Sequence, residues 1–539
     1  MNLFRKRSPY LYGSITMVLL MLVGWLVGRV MATSENTYMR ILLMQDVVNQ
    51  VSLRYVDHIP PEELYKRATE GLLKNLDPYT ELIPAEDFKR FQDIQVRSEY
   101  VGIGISISKV NNEIVVMSTY SGSSAWRQGV RPGDRIVKVN GRSTWGWTTE
   151  QASNHLLGQQ GSTVEISISR MGLDEPVTLI LSRQPVVVPT VTRYFMLPDK
   201  VGYLRLSNFT ENTLEELRKH VQELKTQGMT SLVLDLRDNS GGMTEPAINI
   251  ADLFLGKRGV IVSMRGRNPQ DSKSFFSNGK PLLPPDFPVA VLINEFTASS
   301  SEIVAGALQD HDRAVILGEN SFGKGLVQTT FPLSSGDILK ITTARYYTPS
   351  GRNIQRDNYT PRRAEIDLDL EPEEEDDQED PEDPTRPVPE KEVYRTEMGR
   401  EVSGGGGIAP DIRVSPSEAA FDPLIGKIFP HSFDFAVAYR SLNPDIDESF
   451  RADATVYKAF LSYLKSKQVS VDEARLNELR DFIIANLLTF QIAQVTWDEN
   501  TAFRLIASVD PQLAKAREVL AYGTTQKEIL NRIMEEARK

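Results

Sequence analysis

The chain of 539 residues contains no cysteine. That excludes a thiol nucleophile, disulfide bonds and thiolate metal sites. Histidine is nearly as scarce. His58, His155, His220, His311 and His431 include no pair spaced as H-E-x-x-H or H-x-H. A zinc hydrolase therefore lacks its ligand set, and no metal or other cofactor is expected. A basic face is missing too. The net charge is −11, and the acidity is local: residues 365–383 hold thirteen acidic residues and no basic one, leaving the rest close to neutral. This is not the footprint of a nucleic-acid-binding protein. Long apolar runs are absent except for one. Residues 10–28 carry no charge, and Arg5, Lys6 and Arg7 precede them. Nineteen such residues suit a bilayer span better than the shorter core of a cleaved signal. The basic flank puts the N-terminus inside and the remainder outside the cytoplasm. The expectation is a single-pass inner-membrane anchor within residues 1–33, with the body on the periplasmic side. Val30-Met31-Ala32 also reads as a cleavage site, so removal stays open.

Beyond residue 33 the chain divides into segments of distinct character. Residues 34–97 read as helical, with apolar residues at helical spacing over 39–55 and a second helix opened by Pro61-Glu62-Glu63-Leu64. These helices suit packing on a core or on a second copy, which would give a homo-oligomer. Residues 98–185 change to strand-and-turn character. Strands are expected at 102–108, 113–118, 135–139, 163–170 and 177–182, with a short helix at 148–157. The Gly102-Ile103-Gly104 entry and the Gly129–Asp134 turn, with this element order, resemble a PDZ domain. The resemblance implies that a peptide C-terminus adds as a strand beside 103–108. Tyr100, Val101, Gly102, Ile103, Gly104 and Ile105 would then form the peptide-binding site.

Residues 186–357 and 404–416 read as an α/β core. Strands are expected at 202–206, 231–237, 289–294, 314–318 and 338–346, and helices at 212–227, 244–255 and 299–309. Between the two parts of the core, residues 358–403 are acidic and proline-rich and read as a disordered or solvated insert. Residues 417–539 read as helical.

Three segments of the core carry polar residues where chemistry is possible. In the first, an apolar strand ends in Asp238-Asn239-Ser240-Gly241-Gly242. The glycines let backbone N–H groups face outward, as an oxyanion hole requires, or merely satisfy a strand–helix turn. The second is Thr297-Ala298-Ser299-Ser300-Ser301-Glu302. Here Ser299 is either a nucleophile at a helix start or the cap in a Ser-x-x-Glu box. In the third, Gly318 to Lys324 reads G-x-x-x-x-G-K, yet Gly325 replaces the Ser or Thr of a phosphate-binding loop and a strand comes next, so that reading is rejected. Lys324 and Gln328 share a face in extended chain, and Lys324 is either a base or a turn lysine.

Together the order of a PDZ domain, Gly-Gly loop, A-S-x-S-E, G-x-x-x-x-G-K-G-x-x-Q and Tyr347-Thr348-Pro349-Ser350-Gly351-Arg352 resembles the carboxyl-terminal processing peptidases, or tail-specific proteases. The resemblance runs from about Tyr55 to Val414 and includes Leu76-Asp77-Pro78. It implies an α+β multidomain protein with a PDZ domain ahead of a crotonase/ClpP-like serine peptidase core. Ser299 matches the nucleophile and Lys324 the general base. Gln328 matches the glutamine that orients the lysine, and the backbone N–H groups of Gly242 and Ser300 match the oxyanion hole. Its partners would be proteins or peptides with free C-termini. Two departures stand out. Ser300 occupies a position where alanine is common, and tolerance is expected because only its backbone is used. Ser240 stands where proline or glycine is usual. Two rivals are a PDZ adaptor with a degenerate core, against which Ser299, Lys324 and Gln328 stand together, and a crotonase-like acyl-CoA enzyme, which explains neither the PDZ domain nor the anchor.

Overall fold

The computed structural model describes residues 38–85, 87, 88, 92, 96–356 and 392–538. The expected anchor at 1–33 and the acidic run at 365–383 lie outside the described residues. Among those described, no helix is long and apolar enough to cross a membrane. Two compact units divide between Leu82 and Ile83.

The first unit is helical. Residues 38–54 form one helix. Pro61–Lys74 forms a second, with proline at its start, where no N–H is needed. After it, the Asp77 carboxylate accepts from the N–H groups of Tyr79 and Thr80 at 2.8 and 2.9 Å, which fixes the turn.

The second unit opens with the β-domain. Its antiparallel strands lie in the order Ile105–Val110, Glu113–Thr119, Arg135–Val139, Thr163–Ser169 and Val177–Ser182. Glu99–Gly102 pairs instead with Gln184–Val187. The strand expected at 102–108 is thus corrected. The chain breaks at Ile103 and at Gly104, whose φ is +81°, and a Cβ on Gly104 would meet the Ser123 side chain. Ile103, Ile114, Val116, Ile136, Ile166 and Ile168 fill the core of this domain. Helix Thr149–Leu156 starts with a capping box between Thr148 and Gln151.

The α/β core is a six-stranded sheet. Its order is Val191–Met196, Val201–Leu206, Ser231–Asp235, Val289–Ile293, Val315–Gly318 and Ile412–Arg413. All neighbours run parallel except the first pair. Ser231–Asp235 and Val289–Ile293 are buried throughout, as strands covered on both faces must be. Side chains alternate between the covers. Leu232 and Leu234 pack with Leu217, Ala247 and Val304 from helices Thr213–Thr226, Thr244–Phe254 and Ser300–Asp310. Val233 packs with Leu513, Val519 and Ile529 from helices Pro511–Leu520 and Gln526–Ala537. The helical C-terminal region is therefore the second cover of this sheet.

An ionic network ties that cover to the sheet edge. The fully buried Asp235 carboxylate accepts from the Tyr203 hydroxyl at 2.6 Å and from Arg237 Nη2 at 2.6 Å. Arg237 also contacts Asp510 at 2.8 Å and donates to Gln512 Oε1 at 2.7 Å. Burial pushes the Asp235 carboxyl up, but the Arg237 and Arg205 guanidiniums and the hydrogen bonds hold it well below the usual carboxylate range.

The strand expected at 338–346 exists as Ile338–Tyr347 but lies outside the parallel sheet. It pairs antiparallel with Leu326–Pro332 and with Val260–Gly266, which in turn pairs with Lys273–Phe276. The reason is the short turn between Leu333 and Asp337. Leu333 N–H donates to the Asp337 carbonyl oxygen at 2.9 Å, and a parallel return would need a crossover. The insert is corrected over 392–403. Val393–Arg395 and Glu401–Ser403 form a hairpin. It is held by Arg400 on Asp312 at 2.7 Å and by Glu397 N–H on the Asp310 carbonyl oxygen at 3.0 Å.

Asp235→Asn should cost about 3–5 kcal/mol at neutral pH, because it leaves buried guanidiniums without their carboxylate. The sign with pH comes from the depressed pKa. Asp235 contributes stability above its unfolded-state value near 4, and the contribution fades as pH falls toward the folded-state value. The gap between the urea midpoints of the two proteins should therefore be wide at pH 7 and narrower at pH 3, without closing there. An equal gap at both would overturn the assignment.

Candidate active site

Three parallel strands sit side by side in the sheet: Ser231–Asp235, Val289–Ile293 and Val315–Gly318. The chain leaves the C-terminal end of each into one of the three polar segments. Loops at the carboxyl edge of a parallel sheet share one crevice, so the topology alone gathers them.

The first loop is shaped by glycine. Gly241 and Gly242 have φ of +107° and +137°. A Cβ on Gly241 would lie 2.9 Å from the Ala298 carbonyl oxygen and 2.9 Å from Ser299 Cβ, and one on Gly242 would meet the Phe209 carbonyl oxygen at 2.4 Å. The loop thus packs backbone-on-backbone against the serine segment. Fully buried Asn239 joins the two. Its side-chain oxygen accepts from Gly241 N–H at 2.9 Å, and its carbonyl oxygen accepts from Ala298 N–H at 3.0 Å and from the Ser301 hydroxyl at 2.8 Å.

The second loop ends at Ser299, which precedes helix Ser300–Asp310. Ser299 has φ +56° and ψ −115°, a conformation that costs a non-glycine residue about 1–3 kcal/mol. The residue is nearly buried, at 9% exposure. The Ser300 hydroxyl, also buried, donates to the Gly242 carbonyl oxygen at 2.9 Å. Serine is thus accommodated at position 300, its hydroxyl held by the carbonyl of the peptide that follows Gly242.

The third loop is tied to the second by Glu302, which is fully buried. One carboxylate oxygen accepts from Ser299 N–H at 2.7 Å and from Lys324 N–H at 2.9 Å. The other accepts from the Ser321 hydroxyl at 2.5 Å and from Gly323 N–H at 2.8 Å. Burial pushes the Glu302 carboxyl up, and these four donors pull against that, with burial prevailing. Ser299 and Lys324 therefore meet around a single oxygen atom. A Cβ on Gly325 would meet Gln355 N at 2.7 Å, so a phosphate loop's Ser or Thr does not fit there. Lys324 precedes the strand Leu326–Pro332 instead of lying in it. Gln328 donates from Nε2 to Thr342 Oγ1 at 3.3 Å.

Sequence reasoning missed the parts played by Glu302, Asn239, Thr297 and Ser321. The signal for Glu302 was present as the Ser-x-x-Glu box, read there only as a cap.

In the β-domain, Tyr100, Gly102, Ile103, Gly104 and Ile105 line a cavity of about 300 Å³, together with Tyr120 and Leu156. Val101 does not line it. That residue pairs with Pro185 in the short sheet.

The chain is similar to known proteins in both its β-domain and its α/β core. The profile described as peptidase family S41 matches residues 200–364, and that of a PDZ domain matches residues 115–170. A carboxy-terminal-processing protease of Bartonella bacilliformis is 39% identical over 331 residues, covering 61% of this chain and 75% of that one. A carboxyl-terminal-processing protease of Synechocystis is 35% identical, covering 55% and 69%. Among solved structures, a photosystem II D1 C-terminal processing protease is 30% identical over 58% of this chain and 90% of its own, with a TM-score of 0.33.

Two substitutions test the local physics. Glu302→Gln puts an amide NH2 against two existing donors and should lower stability by about 2–4 kcal/mol, read as the urea midpoint. Ser299→Gly removes the strain and should raise stability by about 1 kcal/mol, read the same way. A destabilised Ser299→Gly would show that the conformation is not strained.

Proposed function

The chain belongs to the carboxy-terminal-processing proteases of peptidase family S41, and on that premise we propose that Ser299 and Lys324 are the nucleophile and general base of its serine endopeptidase. The observation that carries this reading is the single Glu302 oxygen that accepts from both their backbone N–H groups.

The reaction is acyl transfer. Neutral Lys324 takes the proton from Ser299 Oγ, which attacks the carbonyl carbon of the scissile peptide bond. The N–H groups of Gly242 and Ser300 stabilise the oxyanion. The C–N bond breaks, and Lys324 returns the proton to the leaving amine. Water, deprotonated by Lys324, then hydrolyses the ester and regenerates Ser299. Gln328 orients the lysine through its amide carbonyl, its amide nitrogen being engaged by Thr342.

Substrate C-termini enter the cavity of the PDZ domain, whose wall of Ile103, Ile105 and Leu156 favours an apolar terminal residue. The uncharged run at 10–28 behind Arg5, Lys6 and Arg7 supports an inner-membrane tether with the peptidase on the periplasmic side, and envelope proteins as substrates.

Ser299→Ala and Lys324→Ala should each reduce turnover of an unstructured peptide with an apolar C-terminus by at least about 10³-fold, at unchanged unfolding midpoint. A folded Lys324→Ala protein that retains turnover would remove the lysine from the mechanism.

A further inference from the structure

Phe296 is 59% exposed and Phe322 is 43% exposed. Single exposed aromatics are ordinary on a protein surface. These two differ in what holds them. Phe296 lies three residues before Ser299, in a turn whose every side is tied down. Thr297 N–H donates to the Asn294 carbonyl oxygen at 2.9 Å, the buried Thr297 hydroxyl donates to the Leu236 carbonyl oxygen at 2.9 Å, and Asn294 Nδ2 donates to Asp238 at 2.7 Å. Phe322 lies two residues before Lys324. Both of its chain neighbours, Ser321 and Gly323, bond the buried Glu302 carboxylate. The two loops then join, because Phe322 N–H donates to the Thr297 carbonyl oxygen at 2.9 Å. Two rings are thus presented to solvent from adjoining backbone, one on the nucleophile's loop and one on the base's, on supports with little freedom. Rigid presentation is what a selective pocket needs, because no ordering cost is left for the moment of binding.

We propose that Phe296 and Phe322 form an aromatic clamp that selects a large apolar side chain beside the scissile bond of the peptide substrate. The inference rests on the Ser299–Lys324 reading and adds the cleavage-site preference to it. Aromatic faces recognise apolar groups by burial and offer nothing to a carboxylate, so an acidic residue at that position is disfavoured.

The test uses one peptide series with a constant apolar C-terminal tail, so that the PDZ contribution is fixed. Only the residues flanking the cleaved bond vary, as Leu or Phe, Ala, and Asp. For Phe296→Ala with Phe322→Ala, kcat/KM for the Leu and Phe peptides should fall on the order of tenfold or more. For the Ala peptide it should change by less than about twofold. Phe→Leu at both sites should restore part of the loss. In the Ser299→Ala background, which reports binding without turnover, the affinity ratio of Leu peptide to Ala peptide should shrink by a similar factor. Equal losses on all peptides would overturn the clamp and assign the rings to supporting the loops or shielding Lys324. An unchanged preference would also overturn it. If Ser299→Ala still cleaves, the dyad reading fails instead, and the binding ratio decides the clamp separately.

Discussion

The site depends on one buried carboxylate. Stripped of water and left alone, an ionised glutamate inside a protein is disfavoured by several kcal/mol. Glu302 is tolerable because three backbone N–H groups and one hydroxyl converge on it. The dependence runs both ways. Those donors belong to Ser299 on one side and to the loop from Ser321 to Lys324 on the other, so the carboxylate is the common acceptor that brings two loops from two strands to one point. A hydrogen-bond network of this kind is either complete or costly, which is why its members behave as one unit. It also accounts for the strain at Ser299. A serine at φ +56° persists only where its surroundings over-determine it, and Ser299 has its own N–H bound to Glu302 and the preceding Ala298 N–H bound to Asn239.

The network in turn rests on the sheet. Strands Ser231–Asp235, Val289–Ile293 and Val315–Gly318 are adjacent and parallel, so their C-terminal ends are set about one strand spacing apart, roughly 5 Å, whatever the loops do. Parallel strands need cover on both faces. Here helices within the core supply one cover and helices from residues 511–537 supply the other. The Asp235–Arg237–Asp510 network then fixes the distant cover to the residue that opens the glycine loop. The C-terminal region thereby helps hold the glycine loop in place.

Much of this was legible in the sequence, and the limits have physical causes. Apolar runs such as Leu232–Leu234 and Val289–Ile293 announced buried strands because burial on both faces leaves no polar alternation to confuse. Glycine at 241 and 242 announced a turn needing positive φ, and the structure adds a close approach to Ala298, Ser299 and Phe209. Long-range partners were not legible. Nothing local tells that the carboxylate of a Ser-x-x-Glu box, beyond capping its own helix, reaches residues 321–324. The antiparallel pairing of Ile338–Tyr347 was hidden because a strand's pattern does not say which sheet it joins. The hairpin at 393–403 was hidden by the acidic composition before it, while its anchors, Asp310 and Asp312, lie some ninety residues earlier. Ile103 and Gly104 looked like mid-strand residues because alternation continues through them, yet the close contact with Ser123 bends the chain there.

Position 300 carries a contact that its backbone role did not announce. A residue needed only for its backbone should accept any small side chain, and alanine is the natural choice at a helix start. Yet Ser300 is fully buried, and a buried hydroxyl must find a partner. The Gly242 carbonyl is the one it meets. That bond turns the carbonyl of Gly242 toward the serine helix and sets the plane of the next peptide. Removing the hydroxyl would leave that carbonyl short of a donor and free the glycine loop to rotate, which glycine alone among residues can do without steric resistance. The conformational freedom that lets Gly242 approach Phe209 so closely is therefore the same freedom that Ser300 restrains.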